Sequence, residues 1–215
     1  MSYRWQETIK ILIPGFYILI CAGVEYFTLY FPNNDLCELI EKLSGIIIIL
    51  MFFLAFVIGY INEILSGIIE YVLYMLGIPR PSRLVLNNAI ERFSIAKNDE
   101  LRQNLQISAN EKIDNKCAAK SLAAAKQATE MEKYQEYYYQ SILARNLFFG
   151  HLFSFILFIA INDWSWFTMA IGLVVTILFG WQWWKMNLTY VKNVFVKYLL
   201  HVVNISTTNN NTSNE

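Results

Sequence analysis

Charge is scarce in this chain. Asp, Glu, Lys and Arg make up 16% of its 215 residues, while 56% are hydrophobic, against about a quarter charged in ordinary soluble domains. That balance excludes a soluble domain of this size and assigns the chain to a lipid bilayer. Histidine is scarcer still: His151 and His201 are the only two, and neither lies in a triad, metal or phosphate-loop signature. The three cysteines, Cys21, Cys37 and Cys117, have no Cys-x-x-Cys or Cys/His spacing, which removes zinc and an internal disulfide framework from consideration. No catalytic residue, metal or cofactor is expected, and an enzyme is disfavoured.

Apolar runs fill the space that charge leaves. A membrane helix needs about 20 mostly apolar residues, and four segments qualify, 9–31, 44–61, 147–161 and 166–181. The last two are separated by "NDWS" at 162–165 and form a tight hairpin. The first run is too long for a signal-peptide core of about 7–15 residues and no small-x-small site follows it, so it is read as a retained span. Pro14 and Gly15 stand in its first two turns, where a proline kinks the helix and frees a carbonyl for a partner.

Basic residues orient the bundle. Sixteen of the 17 Lys and Arg fall on the side holding both termini and the segment between spans two and three, Lys42 being the exception. By the positive-inside rule that side is cytoplasmic, so both termini and the central segment are expected inside. Trp5, Trp181, Trp183 and Trp184 mark the inner boundary, and Trp164 and Trp166 the outer one. The expected organisation is all-α: two transmembrane helices with a cytoplasmic extension of the second (1–78), a helical cytoplasmic insert (79–145), a transmembrane hairpin (146–183), a cytoplasmic amphipathic helix (184–204) and a disordered tail (205–215). The amphipathic helix carries Lys185, Lys192 and Lys197 toward anionic lipid or stabilises the bundle,.

The insert opens with "PRPSR" at 79–83, which stops the second helix,. From Ala118 to Asn146 the composition favours one helix running unbroken into the third span,. Its alanines, Ala118, Ala119, Ala123, Ala124 and Ala125, allow close approach. With 11 basic and 8 acidic residues, the insert is not cationic enough for a nucleic-acid groove. Tyr134, Tyr137, Tyr138 and Tyr139 cluster just below the membrane. They pack at an interface, or they form a stacking platform for a partner or a nucleotide-like signal, with Arg145, Arg92 or Lys133 supplying charge.

Two carboxylates interrupt the second apolar run. Glu63 lies about 28 Å along a helix that enters at Ser44, close to the inner edge of the hydrocarbon. Gly59, Glu63, Ser66, Gly67 and Glu70, followed by Tyr74 and Gly77, recur every three or four residues and make one polar, small-residue stripe,. Carboxylates at that depth need protein, water or a basic partner. Either several copies line the cytoplasmic mouth of a pore with them, or the stripe is a packing seam whose glutamates pair with Arg80, Arg83, Arg145 or Lys185, or the helix lies exposed at the interface.

Four spans, a helical insert, the turn "GIPRPS" at 77–82 and the "ARN" entry to the third span at 144–146 resemble small bacterial membrane proteins associated with anti-phage defence. The resemblance implies a place in the bacterial inner membrane and an oligomeric gated ion channel acting as a defence effector, controlled through its insert by a soluble partner or a nucleotide-like signal. A homo-oligomer, a tetramer by analogy with small channels, is expected in the lipid bilayer. The alternative is a non-conducting sensor or scaffold that anchors a soluble effector.

Overall fold

The computed structural model describes residues 3–30, 45–107, 113–129, 135–161 and 166–212. The expected outer loops, with Cys37, Lys42 and the "NDWS" turn, lie outside the described residues, as does Tyr134. Among the described residues the chain is all-helical: α1 (Tyr3–Tyr30), α2 (Gly45–Met75), α3 (Pro81–Leu86), a 3-10 turn (Glu91–Phe93), α4 (Asn98–Asn104), α5 (Asn115–Ala128), α6 (Gln135–Ile161) and α7 (Trp166–Thr212). Four helices are long and apolar enough to cross a membrane, over Trp5–Val24, Ile47–Met75, Glu136–Ala160 and Trp166–Val202. The chain is therefore an all-α, polytopic membrane protein. Isoleucine-rich runs such as "GIIIIL" are indifferent helix formers in water. In lipid they have no alternative, because only a helix satisfies each backbone N–H and C=O within the segment.

The chain divides into two compact units, Met1–Glu70 with Tyr139–Trp183 and Tyr71–Tyr138 with Trp184–Glu215. The second unit begins before residue 79, its first segment ends at Tyr138, and it takes in the last stretch of α7. In the first unit α1 and α2 cross at backbone contact. A Cβ on Gly15 would overlap the Ala55 carbonyl, and one on Gly59 would overlap the Ile11 carbonyl. Ala55 and Gly59, four apart on α2, and Gly15 on α1 permit that approach, and dispersion between the two backbones holds it.

The second unit has its own core. Val85 and Leu86 of α3, Leu101 of α4 and Ala118 and Ala125 of α5 pack with Leu188, Val191, Val194, Phe195 and Leu199 of α7. The apolar face at 184–204 therefore closes a protein core instead of lying on lipid, and its helix continues α7 without a break. The helix runs to Thr212, so 205–212, expected as a disordered tail, is helical. Of the alanines, Ala118 and Ala125 are fully buried while Ala123 and Ala124 are exposed, since residues seven apart share a face and neighbours five or six apart do not.

Helix α5 starts where Asp114 accepts the Cys117 N–H at 2.6 Å, an N-cap bond,. It ends at Thr129, which is extended (φ −111°, ψ 130°), so the single helix expected from Ala118 to Asn146 is broken there. The Thr129 hydroxyl donates to the Ala125 carbonyl at 2.8 Å and satisfies one of the acceptors that a helix end exposes. β-branching and this side-chain bond favour the stop over the alanine-rich propensity that precedes it.

The "GIPRPS" turn is a helix stop with a specific clamp. Gly77 has φ +100°, and the Ile78 N–H reaches back to the Leu73 carbonyl at 3.2 Å, the six-to-one bond of a Schellman cap. Asn115 completes it: its Nδ2 donates to the Tyr74 and Ile78 carbonyls at 3.0 and 2.9 Å, and its Oδ1 accepts the Arg80 N–H at 2.9 Å. The Arg80 guanidinium lies 4.8 Å from the Tyr74 ring centroid. Asn115→Ala loses all three bonds and should destabilise the protein by about 1–3 kcal/mol, read as a lower midpoint of thermal unfolding. Asn115→Asp keeps the acceptor and should fall between.

Candidate functional site

The stripe on α2 faces protein. Glu63 Oε1 stands 3.0 Å from Lys10 Nζ of α1, with side-chain exposures of 20% and 14%. Glu70 Oε2 stands 2.9 Å from Arg145 Nη1 of α6, with exposures of 17% and 14%. Between them Ser66 is fully buried and lies 3.5 Å from Asn62 Oδ1. A Cβ on Gly67 would come within 3.8 Å of the Arg145 guanidinium. Gly59 lies against Ile11. Arg145 is one of the partners expected for the glutamates. Lys10 is not, because it is remote in sequence and stands out there only as a charge that orients the first span.

Asn146 ties the seam together. Pro14 has no N–H, so the Lys10 carbonyl, four residues earlier, loses its helical donor. Asn146 Nδ2 donates to that carbonyl at 3.2 Å, and Asn62 Nδ2 donates to the Asn146 backbone carbonyl at 2.8 Å. Arg145 Nε and Nη2 each lie 3.4 Å from Asn146 Oδ1. The carbonyl expected to be freed by Pro14 thus has its partner on α6. Asn146 is fully buried and Asn62 is 3% exposed. The sequence contains both as polar residues inside apolar runs, in "GYINEIL" and "ARN", and that is the signal by which they were findable.

A second polar contact lies further along α6. His151 Nδ1 is 2.5 Å from the Tyr17 hydroxyl of α1, and Nε2 is 3.2 Å from the Gly172 carbonyl of α7. A carbonyl only accepts, so Nε2 carries the proton and Nδ1 accepts from Tyr17. His151 stacks on Phe155, and Phe179 meets its ring edge to face. Ser154, one turn on, is 7% exposed. Asn146, His151 and Ser154 thus run as a buried polar column along a membrane helix, with Asn62 of α2 bonded to Asn146 and Tyr17 of α1 bonded to His151.

The three described tyrosines of the cluster have different surroundings. Tyr139 is buried, donates to Glu7 Oε1 at 3.3 Å and has Lys10 Nζ 5.4 Å from its ring centroid. Tyr138 packs 5.4 Å from Tyr190 in the second unit. Tyr137 is 39% exposed. Successive helical residues point about 100° apart, so Tyr137, Tyr138 and Tyr139 leave α6 in different directions. Arg145, expected to supply charge to a ligand, is instead held by Glu70 and Asn146.

In the second unit the Lys126 ammonium lies 4.9 Å from the Tyr190 ring centroid and 5.5 Å from that of Tyr138. Burial pulls its pKa below the usual 10.5. The folded protein therefore holds this proton less tightly than the unfolded chain, and stability should rise as pH climbs from the lowered pKa toward 10.5. Thermal unfolding at stepped pH should show that rise in the wild type and a flatter profile in Lys126→Met. A groove of about 500 Å³ runs beside the start of α5, lined by Gln106, Ile107, Asp114, Lys116, Cys117 and Lys120 among others.

Among the described residues no three of His, Cys, Asp and Glu gather closely enough to hold a metal ion. The chain matches no protein-family model, no curated protein and no solved structure.

Proposed function

We propose that the protein is a membrane-anchored sensor or scaffold: the four spans hold the second unit at the cytoplasmic face of a bacterial inner membrane, where it binds a soluble partner or signal. The observation that carries this reading is the commitment of Glu63 to Lys10 and of Glu70 to Arg145 inside one chain. A carboxylate neutralised within its own protomer is a poor lure for cations and a good seam for helices, so the stripe serves packing. The second unit, with a separate core and the groove beside Lys116 and Lys120, is the element available for recognition. The resemblance to membrane proteins of anti-phage systems supplies the setting of defence.

The gated channel remains a second reading, favoured by one observation, the polar column of Asn146, His151 and Ser154 within the membrane bundle. Intramembrane polar residues often mark ion pathways. The experiment that separates the readings is conductance of the purified protein in planar bilayers, alone and with lysate from phage-infected cells. The sensor reading expects no current in either case, and capture of a partner or ligand that is lost in Lys116→Glu with Lys120→Glu. Current that falls in Asn146→Leu or His151→Leu would overturn it in favour of a channel through the column.

A further inference from the structure

Two polar groups of the second unit lack the partners that their burial calls for. Lys126 stands in the last turn of α5 and is half-buried, with its ammonium 5.5 Å from the Tyr138 ring centroid and 4.9 Å from that of Tyr190. The two rings lie 5.4 Å apart and are tilted by 47°. All three residues belong to the second unit, and none of them lines the groove beside Lys116 and Lys120. An ammonium carries three donors, yet among the described residues Lys126 has the two rings for company and neither a carboxylate nor a carbonyl bonded to it. The Tyr190 hydroxyl is buried in a residue only 4% exposed, and among the described residues it has no hydrogen-bond partner. Burial of Lys10 and Arg145 is answered by Glu63 and Glu70; that of Lys126 is not answered by any carboxylate among the described residues.

Cation–π attraction offsets part of the cost of desolvating the ammonium, and the partial negative charge at the end of α5 offsets a little more. Neither gives the orphan hydroxyl an acceptor. We propose that Lys126, Tyr138 and Tyr190 form a binding site for a phosphate-type oxyanion, whose charge meets the Lys126 ammonium and whose oxygens accept from that ammonium and from the Tyr190 hydroxyl. The missing partners select this class: the group must be negative and acceptor-only, and it must offer separate oxygens to a lysine and a phenol at once. Water brings no charge, and a cation would be repelled. Lysine serves phosphate as a compact point charge. Tyr138, 39% exposed, is the open wall of the site, and its ring turns aside to admit the anion to the Tyr190 hydroxyl. Burial already pulls the Lys126 pKa down, and a bound anion opposes that pull by favouring the charged form. Inorganic phosphate and the phosphate monoester of a lipid headgroup share this chemistry.

The test uses the full chain in phosphatidylcholine nanodiscs at one pH, with inorganic phosphate as the soluble probe and nanodiscs carrying phosphatidic acid as the membrane-bound one. Either probe should raise the unfolding midpoint of the wild type above that in sodium chloride of equal ionic strength. The increment should vanish in Lys126→Met, which keeps an apolar stem and loses the charge. Tyr190→Phe is the sharper variant. It removes only an orphan hydroxyl, so without a probe its midpoint should equal or exceed that of the wild type, yet its affinity for the probe should fall about tenfold, the worth of one hydrogen bond to a charged group. Should Lys126→Met fail to accumulate, Tyr190→Phe decides alone. An increment from phosphatidic acid alone supports the site and assigns its anion to a lipid headgroup; one from inorganic phosphate supports it and assigns a soluble ligand. No increment from either probe, or one of equal size in the wild type and both variants, as a general salt effect gives, would overturn the site.

Discussion

Replacing Arg145 by alanine should destabilise the protein by about 1.5–3 kcal/mol, the usual worth of a hydrogen bond to a charged group, here in a partly buried pair,. Glu70 then loses its guanidinium partner at a site where its side chain is 17% exposed, and Asn146 Oδ1 loses two donors. Desolvation contributes to the effect: the pair gains little over two well-packed apolar side chains, but a partly buried carboxylate that loses its guanidinium is costly. Two further variants follow from the same argument. Arg145→Lys keeps the charge but lacks the planar fork that reaches Glu70 and Asn146 together, so it should recover only part of the loss. Glu70→Leu with Arg145→Leu removes both charges and should lie much closer to the wild type than either single change. Unfolding of the purified protein in detergent measures all of these. An Arg145→Ala protein within about 1 kcal/mol of the wild type would mean that water reaches the pair, and the seam would lose its claim as a structural device.

Gly59→Val should separate α1 from α2. The added Cβ would sit on the Ile11 carbonyl, and a backbone atom cannot swing away as a flexible side chain does. Overpacking typically costs about 1–3 kcal/mol and more where the backbone must move, so this variant belongs at the top of that range or above it. Gly15→Val meets the Ala55 carbonyl in the same way and should behave alike, with Gly→Ala weaker at either position. Gly23 is the control. No atom lies within 4 Å of a Cβ placed there, so Gly23→Ala should be neutral or stabilise by up to about 1 kcal/mol through helix propensity. The measurement is again the unfolding midpoint, together with crosslinking of cysteines placed on α1 and α2. Loss of the crosslink in Gly59→Val, with retention in Gly23→Ala, is the expected pattern.

Class, span number and the approximate place of each helix were readable in the residues because they depend on summed properties. Apolar runs of span length report the hydrocarbon thickness, and the exclusion of unpaired backbone groups from lipid then forces the helix. Pro14 was readable in part for a similar reason: the missing N–H is a local fact, and it points to the Lys10 carbonyl whatever surrounds it. The stop after Gly77 was also local, written in a glycine and two prolines. Periodicity, too, reduced Gly59, Glu63, Ser66, Gly67 and Glu70 to one face of α2 without contact information.

Which body that face meets was beyond local pattern. Lys10 is 53 residues from Glu63 and Arg145 is 75 residues from Glu70, and either carboxylate could satisfy itself with any cation that the fold brought near. Crossing of α1 and α2 at Gly15 and Gly59 selects Lys10, and the register of α6 selects Arg145 and sets Asn146 against the carbonyl that Pro14 exposes. The break at Thr129 and the scatter of the tyrosines have the same origin. Propensity acts within a few residues, whereas the end of α5 and the faces of Tyr137, Tyr138 and Tyr139 are settled by what packs against each helix. Composition therefore determines the solvent and the elements that survive in it, and packing between distant segments determines whether a buried charge is a site or a seam, because the cost of burying it depends on its neighbours and not on its position in the chain.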